Sequence, residues 1–391
     1  MGRGQVELKG TCDQRFLPVR DAFAENFAAH GEVGAAVAVV VDGRPVVDLW
    51  GGYADAGRSR PWGRDTIANV YSTTKGLTAL CALRLIDRGL LDPDATVATY
   101  WPEFAQAGKG EMPVRYLLSH RAGLPAIKEP LPVGSMYLWD TMTAALARQA
   151  PWWEPGTQHG YHAVTFGWLV GEVVRRVSGK TLGAFLQEEI SGPLGIDFHV
   201  GLGPEYDRRV AEMIPFQLPA TENAGIIADL LRDTESMVFK AFANPPDVMI
   251  PGTVNTRAWR AAEIPAANGH SDARALARVY GALARGGEIE GVRVLRPETI
   301  ARATMIESDG PDAVLFGLPT RFGLGFMLSN ELIRIGPNEE AFGHAGAGGS
   351  LGFADPVARV GFGYVMNQMI ASLDMLDPRW PPLIDAVYSC L

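Results

Sequence analysis

Ser72 and Lys75 stand three residues apart in Ser72-Thr73-Thr74-Lys75, at the head of an apolar stretch of helical period. Residues i and i+3 share one helix face, so the amine and the hydroxyl can meet. Burial lowers a lysine's pKa by penalising the ammonium, which leaves an amine able to accept a proton. A helix N-terminus adds backbone N–H groups and the positive end of its dipole beside the serine. Hydroxyl, base and oxyanion donor together are the parts of an acyl-transfer nucleophile. With 13 serines and 6 lysines among 391 residues, chance gives about 0.2 such tetrads. One occurs. The competing reading is an N-cap serine with a first-turn lysine.

A second serine motif is Gly348-Gly349-Ser350-Leu351-Gly352, which matches Gly-x-Ser-x-Gly. A nucleophile elbow requires strand, sharp turn and helix, with Asp and then His later in the chain. A β-like run follows Ser350, and the last of the 7 histidines, His344, precedes it. Chain order therefore speaks against the elbow, and these glycines read as turn or strand-edge residues.

Other chemistry-bearing residues are weaker signals. His159 and His162 have metal-like spacing, but no carboxylate or cysteine completes a ligand set, and they read as structural. The 3 cysteines, Cys12, Cys81 and Cys390, form no C-x-x-C. Tyr137, Trp139, Trp152 and Trp153 either line an acyl or alcohol pocket or pack a helical region. Glu154 and Glu172 have no context that singles them out as bases.

The elements that must position the tetrad are legible in the hydrophobic pattern. Ala35–Val41 and Pro45–Trp50 around Asp42-Gly43 predict an antiparallel hairpin, and Ile67–Tyr71 is short and strand-like. Leu77, Leu80, Cys81, Leu83, Leu85 and Ile86 predict a helix buried on several faces, with Ser72 at its N-cap and Gly89 closing it. Helices are expected over Val114–Ser119, Met142–Ala150, Val164–Val177, Leu182–Ile190, Ala224–Leu231 and Ala273–Arg285. The tail returns to β character over Phe322–Leu328, Ala341–Phe353 and Val360–Gln368, then ends in a helix from Pro382 to Cys390. Strands at both ends with helices between predict an α/β (α+β) fold: a sheet domain from residues 1–91 and 265–391, and an inserted helical domain over 92–264.

Apolar residues make up 47% and charged residues 20%, the usage of a globular protein with a sizeable core. The net charge of −9 disfavours a long electrostatic footprint on nucleic acid. Ala35 to Val41, the longest aliphatic run, is too short to span a membrane. No apolar segment follows the N-terminus as in a signal peptide, and the sparse cysteines suit a reducing compartment. Cytoplasmic residence is the expectation, with no nucleic-acid or membrane partner. Oligomeric state has no signature here.

Tyr71-Ser72-Thr73-Thr74-Lys75-Gly76 with the apolar helix behind it resembles the serine β-lactamase and penicillin-binding-protein superfamily. Leu117-Leu118-Ser119-His120-Arg121-Ala122-Gly123-Leu124 is similar to the Leu-Leu-x-His-x-x-Gly-Leu segment of its class C-like branch. Pro155-Gly156-Thr157 followed by Tyr161-His162-Ala163 is similar to the Pro-Gly…Tyr segment of that branch. The likeness is nearest to the family VIII carboxylesterases, from about residue 15 to the C-terminus.

The resemblance implies a β-lactamase-like fold, an antiparallel sheet flanked by helices. It implies Ser72 as acylated nucleophile, with Lys75 and Tyr161 as acid/base partners and no cofactor or metal. His344-Ala345-Gly346 occupies the place of the superfamily's Lys-Thr-Gly strand. The N–H groups of Ser72 and Ala347 would then form the oxyanion hole, and His344, Gly346 and Trp153 would contact substrate. His120 would hold a turn near the site. A histidine where a cation is usual, and Ala163 where asparagine is common, point away from anionic substrates toward short-chain neutral esters. A β-lactamase or D-Ala peptidase, an acyltransferase on the same site, and a non-catalytic binding relative are the alternatives.

Overall fold

Asp42 and Gly43 both take positive φ, 54° and 79°, the backbone a two-residue hairpin turn requires. They join β2 (Gly34–Val41) to β3 (Arg44–Gly52), with β1 (Leu8–Cys12) on the far edge of β3. The computed structural model describes residues 6–216, 233–370 and 376–391.

Three short strands, β4 (Ala68–Asn69), β5 (Phe198–His199) and β6 (His270–Ser271), form a small sheet in the order β4-β6-β5. A separate hairpin pairs β7 (Glu288–Ile289) with β8 (Val292–Arg293). The C-terminal part adds β9 (Ser308–Pro311), β10 (Pro319–Phe322), β11 (Met327–Leu328), β12 (Phe342–Ala345), β13 (Leu351–Asp355) and β14 (Val360–Met366). These join the first three strands in one nine-stranded antiparallel sheet, ordered β1-β3-β2-β14-β13-β12-β11-β10-β9. Strands from both ends of the chain meet at its centre, where Val37 pairs with Tyr364.

The alternation of β14 explains how both faces are covered. Gly361 and Gly363 face the Ala273–Ala284 helix so closely that a Cβ on either would lie 2.2 Å from its backbone. Phe362 and Tyr364 point the other way, and Tyr364 meets Phe23 of α1 (Leu17–Ala29) edge-on. Near-continuous apolar β2 is buried from Gly34 to Val40, as a strand covered on both faces should be. The central helix is α2 (Thr74–Asp87), where Arg84 and Ile86 alone are not fully buried.

Several expectations are corrected. The Phe322–Leu328 run is two strands, because Gly323 to Phe326 turn the chain so that Phe322 faces Met327. The Ala341–Phe353 run is likewise split by the Gly346–Ser350 turn. The expected Leu182–Ile190 helix is regular only over Leu182–Leu186, then widens through Gln187–Ser191. β1 and α1 carried no reading from sequence; the apolar residues of α1 are not concentrated on one stripe. The expected Ala224–Leu231 helix lies outside the described residues. Among the described residues, no helix is long and apolar enough to cross a membrane.

Candidate active site

Ser72 is not an N-cap. It lies in a 3-10 turn, Tyr71–Thr73, whose end passes directly into α2. Tyr71 has φ 43°, a left-handed conformation uncommon outside glycine and often found where a turn presents a functional side chain. The turn is anchored by Thr74 Oγ1, which donates to the Tyr71 carbonyl (2.5 Å) and accepts from Gly269 N–H (2.9 Å). Ser72 itself remains half-exposed.

Lys75 is fully buried one turn on, with Nζ 3.0 Å from Ser72 Oγ, 2.7 Å from the Ala163 carbonyl and 2.9 Å from the Ala266 carbonyl. Those carbonyls come from distant segments. Gly167 brings them together: a Cβ there would lie 2.6 Å from Ala266 N, so only glycine lets the Thr165–Ser178 helix approach this closely. Among the described residues no carboxylate neutralises Lys75, and burial holds its pKa well below the ordinary lysine value.

Tyr161 is brought to the same place. Its ring lies under Lys75 Nζ, 4.7 Å from centroid to nitrogen, and stacks on Phe322 at 6.1 Å. Its backbone N–H donates to Asp312 Oδ1 at 2.9 Å. Burial raises the phenol's pKa; Ser72 opposes this as a hydrogen-bonding neighbour, and Asp312 adds to it. Among the described residues the hydroxyl makes no hydrogen bond of good geometry.

His344 faces this group from β12, its ring 6.1 Å from that of Tyr161. Its Nδ1 lies 2.7 Å from the Ala345 carbonyl, which fixes the proton on Nδ1 and leaves Nε2 as an acceptor. Burial first, then the nearby Lys75, lowers its pKa to about 3, so the imidazole is neutral. Gly346 begins the turn after β12, packed against Val70, and Ala347 is exposed at its tip. Neither Ser72 N–H nor Ala347 N–H donates to a protein acceptor among the described residues.

Trp153 stands one ring further away. It meets His162 edge-on at 6.0 Å and packs over Gly160. His120 and His162 hold loops: His162 N–H donates to His120 Nδ1, and Leu124 N–H donates to His162 Nε2, each at 3.1 Å. Glu172 is buried among Trp139, Arg175 and Arg176, with its oxygens engaged, while Glu154 is exposed. The described residues contain no group of three or more His, Cys, Asp or Glu side chains placed to hold a metal.

Sequence reasoning missed three partners. The Ala163 and Ala266 carbonyls are backbone atoms, with no residue type to mark them. Asp312 is buried and accepts from Tyr161, Val314 and Leu315 N–H groups and from Thr320 Oγ1. Its only advance signal was the habit of Asp to cap a turn two and three residues on.

Comparison with known proteins places the chain in a family. The Beta-lactamase family model matches residues 19–380. The esterase/beta-lactamase LipL of Mycobacterium tuberculosis is 39% identical over 381 residues, 94% of this chain and 85% of that protein. A crystal structure of a family VIII carboxylesterase shares 47% identity at a TM-score of 0.90, covering 98% of this chain and 100% of that one. A penicillin-binding protein homologue from Caulobacter crescentus shares 41% at 0.89, with coverage of 98% and 100%. The matches run through both strand-bearing ends and the helical middle, and the chain belongs to the β-lactamase family.

Proposed function

We propose that this chain is a serine carboxylesterase that hydrolyses short-chain neutral esters through an acyl-enzyme on Ser72. The observation that carries the reading is the set of three oxygens around Lys75 Nζ, two carbonyls that can only accept and one hydroxyl that can donate. A neutral amine has two N–H groups, enough for the carbonyls of Ala163 and Ala266, and its lone pair is then left for the Ser72 hydroxyl proton. An ammonium would have to persist in a buried site with no counter-ion among the described residues, which costs several kcal/mol on the usual scale. Lys75 is therefore the first base.

Ser72 Oγ bonds to the ester carbonyl carbon as its proton passes to Nζ. The carbonyl oxygen takes the electron pair and accepts from Ser72 and Ala347 N–H. Collapse breaks the C–O bond, and the leaving alkoxide takes its proton from the Tyr161 phenol, which Lys75 reprotonates. Water repeats the sequence on the acyl-enzyme and frees Ser72.

Neutral substrates follow from His344, which is uncharged and presents an acceptor, so it offers no counter-ion to a carboxylate. Gly346 lines the strand side, and Trp153 bounds the far side of the pocket. On this reading residues 1–91 and 265–391 are the sheet domain that supplies Ser72, Lys75 and His344, and 92–264 is the helical insert that supplies Tyr161.

LipL carries both esterase and beta-lactamase in its name, so β-lactam hydrolysis on the same site is the second reading. p-Nitrophenyl butyrate and a chromogenic cephalosporin separate the two. We expect turnover of the ester, loss of at least about 10³-fold in Ser72→Ala, and little cephalosporin turnover. Cephalosporin turnover that matched or exceeded ester turnover would overturn the neutral-ester assignment.

A further inference from the structure

Ser350, set aside above as a nucleophile, is 1% exposed and its hydroxyl is fully engaged. Its oxygen lies 2.7 Å from the Val70 carbonyl and 3.0 Å from Thr73 Oγ1. A serine has one proton; a carbonyl can only accept. Ser350 therefore donates to Val70, and Thr73 donates to Ser350. Val70 precedes the 3-10 turn that carries Ser72 and Thr73 ends it, and the Val70 carbonyl also accepts Thr73 N–H at 3.1 Å.

At its other end Ser350 closes the turn that carries Ala347. Gly346 N–H donates to the Ser350 carbonyl at 2.8 Å and Gly349 N–H to the Gly346 carbonyl at 3.1 Å. A Cβ on Gly346 would lie 2.2 Å from Ser350 Oγ and 2.3 Å from the Val70 carbonyl, so the two turns are in direct contact. From behind, Arg379 donates to the Gly348 carbonyl, and Trp380 Nε1 donates to the Gly349 carbonyl at 2.7 Å.

We infer that Ser350 is a positioning residue: through Val70 and Thr73 it fixes the separation between the Ser72 and Ala347 N–H groups, and so the fit of the site to a tetrahedral oxyanion. This rests on the Ser72 nucleophile proposed above. Ser350 touches neither substrate nor reacting atoms, so it acts on the transition state and not on ground-state binding.

The test measures kcat, KM and the inhibition constant of butylboronic acid, which forms a tetrahedral adduct with a serine hydroxyl. In Ser350→Ala we expect kcat to fall about 10- to 100-fold with KM within about twofold, and the boronate constant to rise by the same factor. A merely structural role would lower the melting temperature and leave boronate affinity unchanged in the folded fraction. Thr73→Val removes the second link, with a smaller loss in the same direction, and decides the matter if Ser350→Ala does not fold. The double variant should lose no more than Ser350→Ala, because the Thr73–Ser350 hydrogen bond is already absent once Ser350 is alanine.

Wild-type kcat and boronate affinity in both single variants, with Ser72→Ala silent, would overturn this inference and leave the nucleophile standing. A silent Ser350→Ala beside an active Ser72→Ala would overturn both.

Discussion

Lys75→Met will lower kcat for a neutral ester by about 10³-fold or more, the upper part of what a positioned base contributes, with the fold retained by circular dichroism. Methionine fills the same buried volume without an amine, so the loss reports proton transfer and not a cavity. The pH dependence has a definite sign. In the proposed mechanism Lys75 works as the free amine, so kcat/KM in the wild type is expected to rise with pH through the Lys75 pKa, which burial holds well below 10.5. In the same proposal Tyr161 works as the neutral phenol, and burial raises its pKa above 10.0, so no alkaline fall is expected until above that pH. The residual activity of Lys75→Met should lack the acid limb. An acid limb unchanged in Lys75→Met, or near-wild-type kcat, would remove Lys75 from the reaction.

The second large effect is on stability. Arg379 is wholly buried, with Nη1 2.6 Å from Glu32 Oε2 and Nη2 2.6 Å from Asp377 Oδ2. Glu32 also accepts from Tyr364 Oη at 2.6 Å. Burial pushes the Glu32 carboxyl above the ordinary carboxylate range, and Arg379 is the main group opposing that. Arg379→Leu leaves two buried carboxyls without their cation, a loss of about 3–5 kcal/mol for a broken buried pair. A fall in Tm on the order of 5–10 °C is expected. Replacing Glu32 by glutamine in the same chain should recover part of it, since the cost lies in the stranded charge. A melting temperature within a degree of wild type would show that Arg379 is not needed to neutralise this interior.

The proposed nucleophile was legible because a helix repeats: Ser72 and Lys75 stand at a spacing that side-chain types alone reveal. The β2–β3 hairpin was legible for a similar reason, its turn residues being named by the φ they must adopt. Tyr161 was legible only by resemblance, since a single tyrosine before a helix carries no chemical signature. The acceptors of Lys75 were invisible, because any residue supplies a carbonyl, and their convergence depends on the Gly167 contact between segments a hundred residues apart. Strand boundaries at Gly323–Phe326 and Gly346–Ser350 were blurred for another reason. Both turns lie inside runs of apolar and small residues, so hydropathy stays level while the chain reverses. The Arg379–Glu32 pair spans nearly the whole chain, and no local pattern marks either partner.

The central claim is that Ser72 becomes acylated, and the most direct measurement is covalent. The wild-type chain and Ser72→Ala are incubated with a fluorophosphonate, then examined by intact mass and peptide mapping. The account predicts a stoichiometric adduct on the peptide containing Ser72 and no adduct in the variant. An adduct on Ser350, or full labelling of Ser72→Ala, would contradict it.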